Sequence, residues 1–318
     1  MTQSSAFGKI ILFGEHAVVY GRPALAVPVT QVHADVDVSD SSRPGIWIEA
    51  PDVNLHAELN TLPSDHPVAS VLHNFLFLSR VSSFPNLEIR ITSTIPVASG
   101  LGSGAAVTVA LTRALASHLH QAMTDEEVNA FTYEIEKLHH GTPSGIDNTV
   151  VTYARPVYFI KNPLSLAGRG SGGEAETFKV GAPFTIVIAD TGISAPTKES
   201  VGDVRRLWMD DRSGLETVFD RIGEISRTAR GAIEAGKPEL LGELMNENHA
   251  LLQKLTVSSP ALDGLVDVAR NAGALGAKLS GGGRGGNMIA LVESAKAGIV
   301  SLALKEAGAT NTIITQVL

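Results

Sequence analysis

Four short stretches of this 318-residue chain gather residue types that do chemistry. The first is Pro96-Val-Ala-Ser99-Gly100-Leu101-Gly102-Ser103-Gly104-Ala105-Ala106. Its glycines let the backbone approach a ligand closely, and the helix predicted after it offers free N–H groups at its positive end, which suits a phosphate. The stretch also fits G-x-G-x-x-A, but no strand ending in an acid follows about 20 residues on, so the dinucleotide fingerprint fails. No Gly-Lys-Ser/Thr follows either, so it is not a Walker loop. The second stretch is Gly8-Lys9, then Gly14-Glu15-His16-Ala-Val-Val-Tyr-Gly21. A lysine among apolar strand residues is costly unless its charge is used, or unless it snorkels from an edge strand to water. Glu15 and His16, after a tight glycine, suit the orienting of a polar substrate. The third stretch runs from Glu136 to Asn148, with His139, His140, Pro143, Ser144 and Asp147 inside it. Asp147 and Glu136 are acids of the kind that hold Mg²⁺ or accept a proton. The adjacent histidines point apart and have no third ligand at standard spacing, so a transition-metal site is not expected. The fourth stretch is Lys278-Leu-Ser-Gly-Gly-Gly-Arg284-Gly-Gly-Asn287, a glycine-rich loop leading into a strand rather than a helix.

The elements around these stretches follow from hydrophobic period. Residues 7–13 read as a buried strand. Val32, Ala34, Val36 and Val38 alternate with polar residues in a half-buried strand within 29–38, and Leu87, Ile89 and Ile91 repeat the pattern. Val68, Val71, Leu72 and Phe75 are spaced for one helix face. Residues 105–119 read as a long, mostly buried helix. Thr124 and Glu127 form a capping box opening another, whose apolar face is Val128, Phe131, Ile135 and Leu138. Residues 162–183 have no clear period and read as a surface loop or linker. The second half continues with a strand at 184–190 and helices near 197–209, 214–235, 238–253 and 260–272. A strand over 288–292, a helix near 294–307 and a strand over 312–317 close it. This is an α+β pattern with helices packed on a sheet.

Composition narrows the class. Hydrophobic residues make up 44% and charged residues 18%, enough to fold around a core and too apolar for disorder. The absence of cysteine excludes a disulfide framework, thiolate catalysis and a thiolate zinc site. A net charge of −8 without a basic block argues against nucleic acid or an anionic membrane as partner. No apolar run approaches the roughly 18 residues of a spanning helix, and the start lacks a signal-peptide pattern. A soluble, cytoplasmic protein is expected.

Together the four stretches resemble the GHMP kinases, the small-molecule kinases named for galactokinase, homoserine kinase, mevalonate kinase and phosphomevalonate kinase. The resemblance runs from Gly8 to the C-terminus. The family's phosphate loop, P-x-x-x-G-L-G-S-S-A, aligns with Pro96 to Ala105. The resemblance thus implies ATP contacts at Pro96, Ser99, Gly100, Leu101, Gly102, Ser103, Gly104 and Ala105. The stretches Gly14–Gly21 and His140–Asn148 are similar to the mevalonate-phosphorylating members. What this implies is ATP-dependent, Mg²⁺-requiring phosphorylation of mevalonate to mevalonate 5-phosphate. By the same resemblance Asp147 is the base that takes the hydroxyl proton, and Lys9 stabilises the developing alkoxide. Glu136 and Ser103 hold Mg²⁺, and Glu15, His16, Ser144 and Thr197 contact the substrate. The implied architecture is a two-domain α+β fold. A ribosomal S5 domain 2-like N-terminal domain spans 1–170, and a ferredoxin-like C-terminal domain spans 171–318. A homodimer is expected.

The chain departs from the family pattern at two places. Gly104 stands where a second serine is usual, which leaves Ser103 or a water to serve the metal. Arg284 and Asn287 stand where glycine and cysteine are more frequent, and Arg284 either adds charge near the substrate or points outward. Two other functions compete. One is another GHMP activity, such as a phosphomevalonate or sugar kinase; a second phosphate on the substrate would call for extra basic residues, for which Arg284, Lys198 and Arg205 are available. A catalytically inactive sensor would be expected to lose the base or the metal ligand, whereas Lys9, Glu136 and Asp147 are all present.

Overall fold

The computed structural model of the chain describes residues 1–79, 85–96, 99–140, 143–161 and 173–318. The chain forms two compact units. The first comprises Met1–Gly8, Val32–Val97 and Gly102–Ala154, and the second Lys9–Gln31, Ala98–Leu101 and Arg155–Leu318. Strands β1 (Thr2–Phe13) and β2 (Pro23–Asp40) each contribute residues to both units. The domain boundary expected after residue 170 lies outside the described residues.

In the first unit the alternation of β2 places Val36 opposite Ile91 and Val38 opposite Ile89 on the antiparallel strand β5 (Leu87–Ser93). Strand β3 (Ile46–Ala50) pairs β5 in parallel and β4 (Leu55–Glu58) antiparallel. A parallel pair needs a crossover, which α1 (Pro67–Leu78) supplies; it buries Val68, Val71, Leu72 and Phe75 as its spacing predicts. Three more helices, α2 (Ser103–His118), α3 (Asp125–His140) and α4 (Ile146–Tyr153), pack on one another. The capping box opens α3: Thr124 N–H donates to Glu127 Oε2 at 2.8 Å, and Glu127 N–H donates to Thr124 Oγ1 at 3.3 Å. Val128, Phe131 and Ile135 are buried, but Leu138 is 62% exposed and does not join the core face. It lies in the last turn of α3.

Helix α4 has no counterpart among the elements that hydrophobic period predicts. It opens on Gly145, at φ 94°, and its run Thr149-Val150-Val151-Thr152 is β-branched. Such residues have low helix propensity, so burial against α2 and α3 holds the helix.

In the second unit Pro23–Val27 of β2 are buried, and residues 23–26 pair β6 (Val157–Ile160). An apolar run buried on both faces shows no alternation, so the strand is longer than its period-two segment. Strand β7 (Glu174–Thr177) pairs β6 inside the region expected to be loop. All of its residues are exposed, so it carries no hydrophobic signal. The principal sheet is antiparallel, in the order β11 (Asn311–Val317), β8 (Phe184–Asp190), β10 (Asn287–Val292), β9 (Gly276–Ser280). Its helices are α5 (Thr197–Asp210), α6 (Arg212–Glu234), α7 (Leu241–Lys254), α8 (Pro260–Asn271) and α9 (Ala297–Glu306), of which α7, α8 and α9 pack on the sheet. Among the described residues no helix is long and apolar enough to cross a membrane.

Candidate active site

The second stretch begins with a turn that only glycine can make. Gly14 has φ 95°, and a Cβ there would stand 2.4 Å from Ala24 Cα, so β1 turns directly against β2. Glu15 and His16 follow, both buried, and His16 itself takes a positive φ of 60°. A 3-10 turn over Ala17–Tyr20 closes on Gly21.

Glu15 and His16 both meet the fourth stretch. The Glu15 carboxylate pairs with the Lys278 ammonium, and both side chains are fully buried. Its second oxygen accepts from Asn248 Nδ2 at 3.2 Å, and Lys278 Nζ also donates to the Leu279 carbonyl at 2.7 Å. Burial pulls the Lys278 ammonium below the usual lysine range, and the Glu15 carboxylate opposes that pull. His16 Nε2 lies 3.1 Å from the Gly282 carbonyl oxygen. Burial lowers the His16 pKa to about 4, against the Gly282 contact and with help from the charge of Arg284. The ring is therefore neutral at pH 7. A carbonyl only accepts, so Nε2 carries the hydrogen and Nδ1 keeps the lone pair. Thr197, the exposed first residue of α5, reaches the same glycine: a Cβ on Gly282 would stand 2.8 Å from Thr197 Oγ1. Glu15, His16 and Thr197, expected to share a substrate, thus gather around Lys278 and Gly282. Glu15 does so with both carboxylate oxygens already engaged by protein.

The glycine loop is wound by left-handed residues: Gly281, Gly283, Arg284 and Gly286 all have positive φ. It is tied down on both sides. Arg284 N–H donates to the Val257 carbonyl at 2.7 Å and Gly286 N–H to the Ile193 carbonyl at 2.9 Å. The Arg284 guanidinium pairs with Asp203 of α5 and holds that carboxyl below the usual carboxylate range. At the loop's end the Asn287 amide donates to the Ser99 carbonyl. Lys9 is 3% exposed, so it does not snorkel to water, and its N–H donates to the Leu101 carbonyl at 2.9 Å. The second unit therefore fixes Ser99, Gly100 and Leu101 of the phosphate loop at two points.

In the first unit, Gly102 (φ 76°) is the N-cap of α2, with no side chain capping it. Ser103, Gly104 and Ala105 make the first turn of the helix, which leaves its leading amides as donors. Gly104 is exposed, and a Cβ there would meet nothing within 4 Å. Pro96 also belongs to this unit. Glu136 lies on α3 and Asp147 in the first turn of α4, both partly exposed. Ser144 Oγ accepts from the Ile146 N–H at 3.3 Å, so it helps start the helix that presents Asp147. Residues 141–142 of this stretch lie outside the described residues.

Residues 68–155 match the family profile described as GHMP kinases N terminal domain, and residues 229–310 the one described as GHMP kinases C terminal. The mevalonate kinase of Pyrococcus abyssi is 36% identical over 98% of this chain and 94% of its own. The chain belongs to the GHMP kinases. The crystal structure of L. major mevalonate kinase in complex with R-mevalonate is similar over 100% of this chain and 96% of that one, with a TM-score of 0.86 and 29% identity. The Streptococcus pneumoniae phosphomevalonate kinase in complex with phosphomevalonate and AMPPNP superposes with a TM-score of 0.82 over 99% of this chain and 100% of its own, but at 17% identity it shares the fold alone. This GHMP kinase therefore has the family's two-domain, mixed α+β fold.

Sequence reasoning passed over several residues of this kinase's site. Lys278 opens the fourth stretch, and its spacing names no partner. Asn248 and His249 belong to no motif, yet Asn248 binds Glu15, and His249 accepts from the Leu279 N–H at 3.3 Å. A histidine and an asparagine side by side on a helix give no spacing signal. Only the packing of α7 on β9 reveals them.

Proposed function

We propose that this GHMP kinase transfers the γ-phosphoryl group of ATP to the 5-hydroxyl of mevalonate, giving mevalonate 5-phosphate and ADP. The observation that carries this reading is the near full-length identity to a mevalonate kinase. Arg284, one of the basic residues that a second phosphate would call for, is engaged by Asp203, a carboxylate it shares with Arg206. Its domains are read as 1–170 and 171–318. A cytoplasmic location and a homodimer belong to the same reading and rest on the resemblance alone.

The chemistry asks mostly for positioning and charge neutralisation. The 5-hydroxyl O–H bond breaks and its proton passes to the Asp147 carboxylate. The oxygen bonds to the γ-phosphorus as the bond to the bridging oxygen of ADP breaks. Lys9 stabilises charge on the attacking oxygen, and the amides of 100–105 hold the phosphates. Glu15, His16, Ser144 and Thr197 contact mevalonate in this reading. Glu136 and Ser103 are hard oxygen donors, and among the described residues no cluster of three His, Cys, Asp or Glu gathers as a metal cage. That donor set fits Mg²⁺, which favours one or two protein oxygens with phosphates and water completing its shell. Held by Glu136 and Ser103, Mg²⁺ would neutralise charge on the β- and γ-phosphates.

The test is ADP release from Mg²⁺-ATP with mevalonate, 5-phosphomevalonate, homoserine and galactose offered separately, the product identified by mass and phosphate position. Turnover on mevalonate to the 5-phosphate is expected. Turnover on another alcohol alone would overturn the substrate and keep the family. Tight ATP binding without turnover on any would favour a sensor.

A further inference from the structure

Asn287 opens β10 in the middle of the sheet, where its backbone is paired to Asp190 of β8 on one side and Ser280 of β9 on the other. Its side chain is 2% exposed, and the amide Nδ2 donates to the Ser99 carbonyl. The neighbourhood is close-fitting. A Cβ on Gly286 would lie 3.7 Å from that carbonyl oxygen, and one on Gly100 would lie 4.0 Å from Asn287 Nδ2. A trans peptide is planar, so the Ser99 carbonyl and the Gly100 N–H point in opposite directions. An amide that holds the carbonyl towards the sheet therefore turns the Gly100 N–H away from it. Gly100, at φ 79°, has no side chain to prevent this peptide from flipping. Nothing in the loop's own sequence fixes which way the amide faces.

We infer that Asn287 is a positioning residue for nucleotide phosphate: its amide selects the orientation of the Ser99–Gly100 peptide and thereby aims the Gly100 N–H at an anion. The inference rests on the reading of 99–105 as the phosphate loop. A carboxylate of the same shape repels the carbonyl and favours the flipped peptide, whereas alanine leaves the choice open. Both changes weaken phosphate binding and leave binding of the nucleoside unaffected.

The experiment is calorimetric titration of wild type, Asn287→Asp and Asn287→Ala with ATP, ADP and adenosine. Wild type should bind ATP more tightly than adenosine. Each variant should lose about tenfold in ATP and ADP affinity, the scale of one hydrogen bond, with adenosine affinity unchanged. Variants that bind ATP like wild type, or that lose adenosine equally, would overturn the role of Asn287. A wild type that prefers adenosine would overturn the phosphate-loop reading and this inference with it. The unmodified protein supplies a measurement that does not depend on how the variants fold. The Gly100 amide resonance should shift on adding ADP and stay in place on adding adenosine, and a Gly100 amide that ignores ADP sinks the proposal.

Discussion

The Glu15 carboxylate closes on the Lys278 ammonium from 263 residues away, and neither side chain is exposed to solvent. A buried pair of this kind is not a large source of net stability, because desolvation of the two ions offsets their attraction. Its loss on one side is another matter. Glu15→Gln leaves the Lys278 ammonium buried without its counter-charge, and Lys278→Met does the same to Glu15. Each is expected to destabilise the protein by about 3–5 kcal/mol in urea unfolding. The double variant should cost less than the sum of the two, since no ion is then stranded. Additive costs would show that the two groups do not act as a pair.

His16 makes the stability of the protein depend on pH. Its pKa falls from about 6.5 in an unfolded chain to about 4 in the fold, through burial. Between these values the unfolded chain binds a proton that the folded one refuses, so stability falls as pH drops. The contribution is intact above pH 6.5, declines as pH falls towards 4, and amounts to at most ~3 kcal/mol at 1.36 kcal/mol per pKa unit. His16 sits at φ 60° and ψ −48°, and asparagine is among the non-glycine residues most often found at positive φ. The His16→Asn protein should therefore fold, and should lose less stability than wild type between pH 7 and pH 4.5 in parallel urea titrations. Identical pH profiles would count against a buried neutral imidazole.

How much of this was legible in the sequence depends on distance along the chain. Gly14 and the capping box of Thr124 and Glu127 are local, and spacing found them. The alternation from Val32 to Val38 gave half of β2, and the half buried on both faces gave no period. Helix α4 stayed hidden because Thr149 to Thr152 prefer strands when read alone, and tertiary burial overrides that preference. The Glu15–Lys278 pair and the Asn287–Ser99 contact lie beyond any spacing rule. They exist because the glycine loop between β9 and β10 returns to the turns after β1 and before α2.

Two glycines of the site should respond oppositely to the same change. Gly14→Ala places a methyl 2.4 Å from Ala24 Cα on a backbone at φ 95°, so both packing and conformation oppose it. A loss of about 3 kcal/mol or more is expected, because the obstacle is backbone that cannot rotate aside. At Gly104 a Cβ meets nothing within 4 Å, and the residue lies in the first turn of α2. Gly104→Ala should leave the melting temperature unchanged or raise it, by up to about 1 kcal/mol in helix propensity. Gly104→Ser should fold equally well and restore a hydroxyl beside Ser103. Under the metal assignment proposed above, it lowers the Mg²⁺ concentration needed for half-maximal rate. A Gly104→Ala protein that melts early would mean the open space is occupied in solution.

Asp147 carries the most demanding role. It stands in the first turn of α4, on a helix started by left-handed Gly145 and by the Ser144 hydroxyl that accepts from Ile146. Asparagine preserves the shape and the helix start but cannot take a proton from the 5-hydroxyl. Asp147→Asn should therefore lower kcat about 10²–10⁴-fold, the usual share of general-base catalysis. ATP affinity and melting temperature should stay near wild type, because neither the phosphate loop nor the packing of α4 is altered. The pairing of results is what decides. A fall in kcat with unchanged ATP binding locates the defect in proton transfer, and a fall accompanied by lost binding or early melting locates it in the helix. Full turnover by the asparagine protein would remove Asp147 from the chemistry and leave it only the task of starting α4.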